Sequence, residues 1–327
     1  MSTPLRVRSW RALGGAVVAS LTLAMTCLTS APASASASAS ASASAHAHHG
    51  DRGNHGHHGH HQRDGHHARH DYLALGDSVA FGYEPPQTTL PADYLDASNF
   101  AGYPEVLAAR RGLRVTNASC PGETTDSMID ENAQSNGCEN SVGSPFGYRD
   151  AYPLHVAYSG SQLDFAVHFL RSHPRTRLVT LDIGANDLFV CQSTKNGCTG
   201  SDFTAVTQHV RAGVDTILST LRHRARYHHR LVVLSYYSLD YGDPVGTGGI
   251  AALNTALAGA AAANDAEVAD GFGVFRAATA PYAGDTCRAG LIIELPGGDC
   301  NVHPTPAGDE LLADAVGAVA GHGHSRH

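Results

Sequence analysis

The run Tyr72-Leu73-Ala74-Leu75-Gly76-Asp77-Ser78-Val79-Ala80-Phe81-Gly82 passes from an apolar stretch into a polar turn flanked by glycines and then into a second apolar stretch. Four apolar residues closed by Gly76 read as a buried strand over 72–75. A Ser at such a strand-to-helix turn can project its hydroxyl beyond the sheet while its own N–H faces the same space, which suits Ser78 to nucleophilic chemistry. Taken alone, the turn is more often explained by a Ser that caps a helix. The Gly-x-Ser-x-Gly elbow used by other hydrolases is absent from the sequence.

Outward from this point, apolar runs alternate with helical patterns. Strands are predicted over 72–75, 114–118, 178–183, 231–235 and 267–270, and helices over 103–111, 162–172, 203–222, 250–264 and 306–320. That alternation defines the α/β class, with a parallel sheet of about five strands and helices on both faces. In such sheets ligands bind beyond the carboxyl ends of the strands. The last helix starts well, with Thr305 as cap and Pro306 in first position, then Leu311, Leu312, Ala315, Val316 and Val319 along one side. Its N-terminus carries His303 to the same rim as the strand ends.

Three further blocks follow predicted strands or precede that helix: Ser119-Cys120-Pro121-Gly122-Glu123-Thr124, Asp182-Ile183-Gly184-Ala185-Asn186-Asp187 and Cys300-Asn301-Val302-His303-Pro304-Thr305. A tetrahedral oxyanion needs two or three donors fixed before reaction, and a Gly N–H with an Asn amide meet that need. Gly122 and Asn186 are the candidates, although singly each is more simply a turn glycine and a capping Asn. A Ser, two donors and a His arriving in this order at one sheet edge change that balance. Asp77 and Asp187 read as structural, bonding turn N–H groups.

These four blocks resemble the GDSL family of the SGNH hydrolase superfamily, named for Ser, Gly, Asn and His in this order. The resemblance spans about residues 72–319. It implies a flavodoxin-like, three-layer α/β/α fold and cleavage of acyl esters through an acyl-enzyme, with no metal and no organic cofactor. Ser78 would be the nucleophile and His303 the general base. The oxyanion hole would comprise the N–H groups of Ser78 and Gly122 and the Asn186 amide. The partner implied is a small ester or lipid substrate. The family usually places an Asp three residues before the His, where this chain has Cys300. Either Asp299 reaches the imidazole through a shifted loop, or a main-chain carbonyl orients it; a carboxylate there would set the tautomer and stabilise the charged ring.

The N-terminus carries Arg6, Arg8 and Arg11, then an apolar run from Ala16 to Leu28, then small residues such as Ala33-Ser34-Ala35. Residues 1–35 therefore read as an export signal and predict a secreted protein. The apolar run is short for a membrane span, and no transmembrane segment is expected later. Residues 36–70 read as a linker in which Ser/Ala alternation gives way to a tract holding 11 of the 22 His, either a solvated spacer or a loose metal binder. Residues 71–321 form the hydrolase domain and 322–327 a tail.

Cys27 leaves with the signal, so six Cys remain of seven. An even number in an exported chain argues for disulfides, expected here in sequential pairs: Cys120–Cys138, Cys191–Cys198 and Cys287–Cys300. The last would steady the loop that carries His303. Zinc is disfavoured, since the sequence has neither Cys-x-x-Cys nor His-Glu-x-x-His.

The whole chain has 22 Lys and Arg against 30 Asp and Glu; removing residues 1–70, with six Arg and two Asp, leaves 16 against 28, a net charge of −12. Nucleic acid is thereby excluded as a partner, and a monomer is expected. Aromatic residues gather at Phe146, Tyr148, Tyr152 and Tyr158 and at Tyr236, Tyr237 and Tyr241. They line a pocket or form local cores for long loops, the second being preferred for most of them. Two competing functions remain: the same machinery acting on polysaccharide or phospholipid acyl groups, and a non-catalytic secreted protein that binds metal through its His tract.

Overall fold

A computed structural model describes residues 70–321. The residues expected to form the signal (1–35), the linker (36–70, apart from His70) and the tail (322–327) lie outside the described residues.

Strands β1 (Asp71–Gly76), β2 (Arg114–Asn117), β3 (Thr176–Asp182), β4 (Arg230–Leu234) and β5 (Glu267–Ala269) form one parallel sheet in the order β2-β1-β3-β4-β5. Strand β1 is buried along its whole length and β4 over Leu231 to Leu234, as the near-continuous apolar runs require of strands covered on both faces. Each fully buried Leu or Ile, such as Leu73, Leu75, Leu181 and Ile183, contributes about 1.5–3 kcal/mol. Leu73 stands between Thr116 of β2 and Val179 of β3. The strand order reverses at β1 and β3, which makes the carboxyl end of β1 a switch point where a crevice opens.

Helices α1 (Ser78–Phe81), α2 (Tyr103–Arg111), α3 (Thr125–Ile129), α4 (Tyr148–Ala151), α5 (Gln162–Ser172), α6 (Ala185–Thr194), α7 (Ser201–His223), α8 (Pro244–Ala263), α9 (Gly271–Thr279) and α10 (Pro306–Ala320) complete the domain. Helices α2, α9 and α10 pack together on one face of the sheet, and α5, α7 and α8 on the other, giving the three-layer α/β/α arrangement. Helix α10 is capped by Thr305, whose side chain accepts from the N–H of Gly308, and buries Leu312, Ala313, Ala315 and Val316. Helix α8 starts six residues before its predicted position, because the Asp243 carboxylate accepts from the N–H groups of Val245 and Gly246 and Pro244 takes the first turn. Among the described helices, α8 alone is long and apolar enough to cross a bilayer by length and composition. Its Leu253, Leu257, Ala260 and Ala261 are buried, and the helix packs on α7, β4 and β5.

One unexpected feature bears on the site, and one preferred reading of the aromatic residues is met. An antiparallel hairpin of β6 (Ile292–Glu294) and β7 (Cys300–Pro304) precedes α10, so His303 lies on a strand rather than in a loop. A second, aromatic core of Phe81, Tyr94, Phe100 and Tyr148, with Tyr83 and Tyr152 against it, organises the long segments after α1 and before α5. Tyr148 and Tyr152 thus serve a local core, whereas Phe146 is 70% exposed. The three disulfides pair as expected: Cys120–Cys138, Cys191–Cys198 and Cys287–Cys300.

Candidate active site

Gly76 ends β1 at φ +145°, and a Cβ there would come within 2.0 Å of Asp182 Oδ1, so only glycine lets β1 and β3 approach this closely. Both polar groups of Gly76 are clamped by the Gln162 amide: the N–H donates to Oε1 at 2.7 Å, and the carbonyl accepts from Nε2 at 3.0 Å. The same Nε2 donates to Glu123 Oε2 at 2.9 Å. Asp77 then caps α1, its Oδ1 accepting from Val79 N–H at 2.9 Å. Capping is therefore done by Asp77, which frees the Ser78 hydroxyl from that duty.

His303 Nε2 lies 2.8 Å from Ser78 Oγ, across 225 residues of chain. The other ring nitrogen, Nδ1, bonds Asn301 Oδ1. That oxygen also accepts from the main-chain N–H of His303 at 3.2 Å. It is thereby identified as the amide's acceptor atom, so Nδ1 carries the ring proton and Nε2 presents a lone pair to the hydroxyl. Burial pushes the His303 pKa down to about 4, so the ring is neutral at pH 7 and able to take a proton from Ser78. Tyr83 lies against the ring, with centroids 4.9 Å apart.

Asp299 is not brought to this imidazole. It is exposed in the turn of the β6–β7 hairpin, where its main-chain carbonyl accepts from Leu295 N–H at 2.7 Å. Four residues along an extended strand span about 13 Å, beyond the reach of its carboxyl. Residue 301 is two away on the same face of β7 and reaches the ring, while Cys300 points to the other face, toward its bond with Cys287. Neither the carboxylate nor the main-chain carbonyl expected from the sequence orients His303; the Asn301 side chain does. Its signal was the alternation of a strand, which is invisible when the segment is read as a loop.

The candidate donors lie on neighbouring turns. Gly122 adopts φ +87°, and a Cβ on it would come within 2.7 Å of Asn136 O and Gly137. The N–H groups of Ser78 and Gly122 are not used in any hydrogen bond within the described residues. Asn186 is buried in the first turn of α6, and its Oδ1 accepts from Asn136 Nδ2 at 2.8 Å. The turns that carry these groups meet at one end of β1, where Cys120 N–H donates to Gly76 O at 3.1 Å and Asp77 N–H donates to Asp182 O at 3.2 Å. Burial pushes the Asp77 pKa up to about 6 against the opposing hydrogen bonds from Tyr236 and Val79. Asp187 is likewise pushed up to about 6 by burial, and it holds α3 by accepting from Thr125 N–H at 3.0 Å and Thr125 Oγ1 at 2.5 Å. Asn136 and Gln162 are 50 and 86 residues in sequence from the Asn186 and Gly76 groups they hold, and no local pattern marks them.

The family model for the "GDSL-like Lipase/Acylhydrolase family" matches residues 74–311, and the chain belongs to that family, whose members are hydrolases acting on esters. No curated protein matches the chain. Among solved structures, the chain is similar to a lipase from a goat rumen metagenome, 17% identical over 78% of this chain and 98% of that one, TM-score 0.46. It is similar to an extracellular lipase of Streptomyces rimosus, 19% identical over 76% and 99%, TM-score 0.45. It is also similar to an acetylxylan esterase of Geobacillus stearothermophilus, 13% identical over 79% and 97%, TM-score 0.46.

Proposed function

We propose that this protein is a secreted serine esterase or lipase in which Ser78 is acylated and His303 is the general base. The observation that carries this reading is the 2.8 Å approach of His303 Nε2 to Ser78 Oγ, with the other ring nitrogen already committed to an acceptor. Ser78 Oγ attacks the ester carbonyl carbon as its proton passes to Nε2. The negative charge that develops on the carbonyl oxygen is met by the N–H groups of Ser78 and Gly122 and by the Asn186 amide. Collapse expels the alcohol, which takes the proton from Nε2–H and leaves an acyl ester on Ser78. Water then attacks that ester, losing its proton to Nε2, and the acid departs as Ser78 is restored. Three disulfides among the described residues fit an oxidising compartment, in keeping with export.

The test is hydrolysis of a p-nitrophenyl ester series from acetate to palmitate by the full chain, with Ser78→Ala and added chelator as controls. Turnover that resists chelator and disappears in Ser78→Ala is expected, and the chain-length optimum separates esterase from lipase. Turnover that survives Ser78→Ala would sink the reading.

A further inference from the structure

The geometry points to Asn136 as a positioning residue that sets the orientation of the Asn186 amide and the Gly122 peptide together, and so pre-forms the oxyanion hole. The inference rests on the proposed serine mechanism and extends it to a residue outside the four sequence blocks. An amide side chain has one end that donates and one that accepts. Asn186 can stabilise an oxyanion only when its NH2 end faces the reacting carbonyl. Asn136 Nδ2 donates to Asn186 Oδ1 at 2.8 Å, which occupies the accepting end and leaves the donating end for the site.

Asn136 also acts through its main chain. Its N–H donates to Gly122 O at 2.7 Å, and this fixes the residue whose own N–H is the proposed donor. The turn is itself rigid. Gly137 N–H donates to Asn140 O at 2.7 Å, Tyr148 N–H donates to Gly137 O at 2.6 Å, and Cys138 is bonded to Cys120. Asn136 thus joins two of the three proposed donors from a segment held in place by a disulfide. Donors fixed before reaction cost no reorganisation when charge develops, which is why orientation at this distance bears on kcat.

The experiment is a double-mutant cycle on hydrolysis of p-nitrophenyl butyrate, using Asn136→Asp, Asn186→Ala and the pair in the full chain. Asn136→Asp keeps the shape but sets an acceptor against Asn186 Oδ1. It is expected to lower kcat by roughly ten- to a hundredfold, a part of the 10²–10³ that loss of an oxyanion donor costs, with KM changed by less than about twofold. The double variant should be no slower than Asn186→Ala alone, because the Asn136 side chain acts only through the amide that is then missing, and its main-chain bond to Gly122 is kept in both variants. Multiplying losses, or a loss carried in KM, would overturn the proposal while leaving the serine mechanism standing. An Asn186→Ala enzyme with unchanged kcat would also overturn it, by removing Asn186 from the oxyanion hole, whereas failure of the serine mechanism itself is read separately from Ser78→Ala. If Asn136→Asp does not fold, by circular dichroism, the same cycle with Asn136→Ala reads the coupling.

Discussion

The Tyr236 hydroxyl donates a 2.6 Å hydrogen bond to Asp77 Oδ2, immediately before Ser78 in the chain. Its neighbour Tyr237 stacks on Phe275 at 4.3 Å and donates at 2.5 Å to the carbonyl of Val302, immediately before His303. One dipeptide after β4 therefore braces the backbone beneath both members of the Ser78–His303 pair. Tyr236→Phe is expected to destabilise the protein by about 1–3 kcal/mol in urea unfolding, since it leaves a buried carboxyl oxygen without its donor. It should lower kcat more than it raises KM; an unchanged kcat would mean that the bond serves folding alone.

The pH dependence of turnover should reveal how His303 is held. With its pKa pushed down to about 4 by burial and no carboxylate at Nδ1, the ring stays unprotonated well below neutrality, so the acid limb of kcat/KM should centre near 4. Asn301→Asp places a negative charge on Nδ1 and should move that limb upward. A limb that does not move would separate residue 301 from the imidazole.

Stability should vary with pH in the opposite sense from most proteins. Burial holds Asp77 and Asp187 up at about 6, against 3.8 for a free Asp, and holds Asp182, Glu123 and Asp309 well above the ordinary carboxylate range. The folded chain therefore keeps protons that the unfolded chain has lost. The stability this contributes is complete below about pH 4 and is lost as pH rises through 6. His303 opposes it, its contribution being lost as pH falls from 6.5 toward 4. Glu105 and Glu139 are raised by burial as well, and His229 is lowered; with the raised carboxyls outnumbering the lowered imidazoles, Tm should fall between pH 5 and pH 8 in calorimetry. Asp182→Asn should flatten that fall, because neither Asp182 oxygen has a hydrogen-bond partner among the described residues.

Removal of the Cys120–Cys138 disulfide by paired Cys→Ser substitution should cost about 3 kcal/mol. Because this bond anchors the turn that carries Asn136, kcat should fall as well. Measurement well below the new Tm separates the second effect from simple unfolding.

Gly122→Ala should nearly abolish turnover. The residue would have to adopt φ +87°, with its Cβ 2.7 Å from Asn136 O, and relief of that contact displaces the N–H beside the site. A soluble, folded variant with full activity would remove Gly122 from the site.

Local sequence determined the parts whose cause is local. The apolar run ending at Gly76 made β1, Thr305 and Pro306 started α10, and alternating strands and helices implied a parallel sheet with Ser78 beyond the carboxyl end of its first strand. The four blocks carrying Ser78, Gly122, Asn186 and His303 were legible for the same reason, since each lies at the end of a strand or the start of a helix and has its own turn signals. Tertiary structure alone decided the rest. The β6–β7 hairpin made residues 300–304 an extended strand with Asp299 left in its turn, and a strand's two-residue period hands the imidazole to Asn301 rather than Asp299. Asn136, Gln162, Tyr236 and Tyr237 act on partners 50, 86, 159 and 65 residues away. Hydrogen bonds over such separations are set by where the packed layers bring the backbone, and propensity or periodicity in a short window carries no record of them.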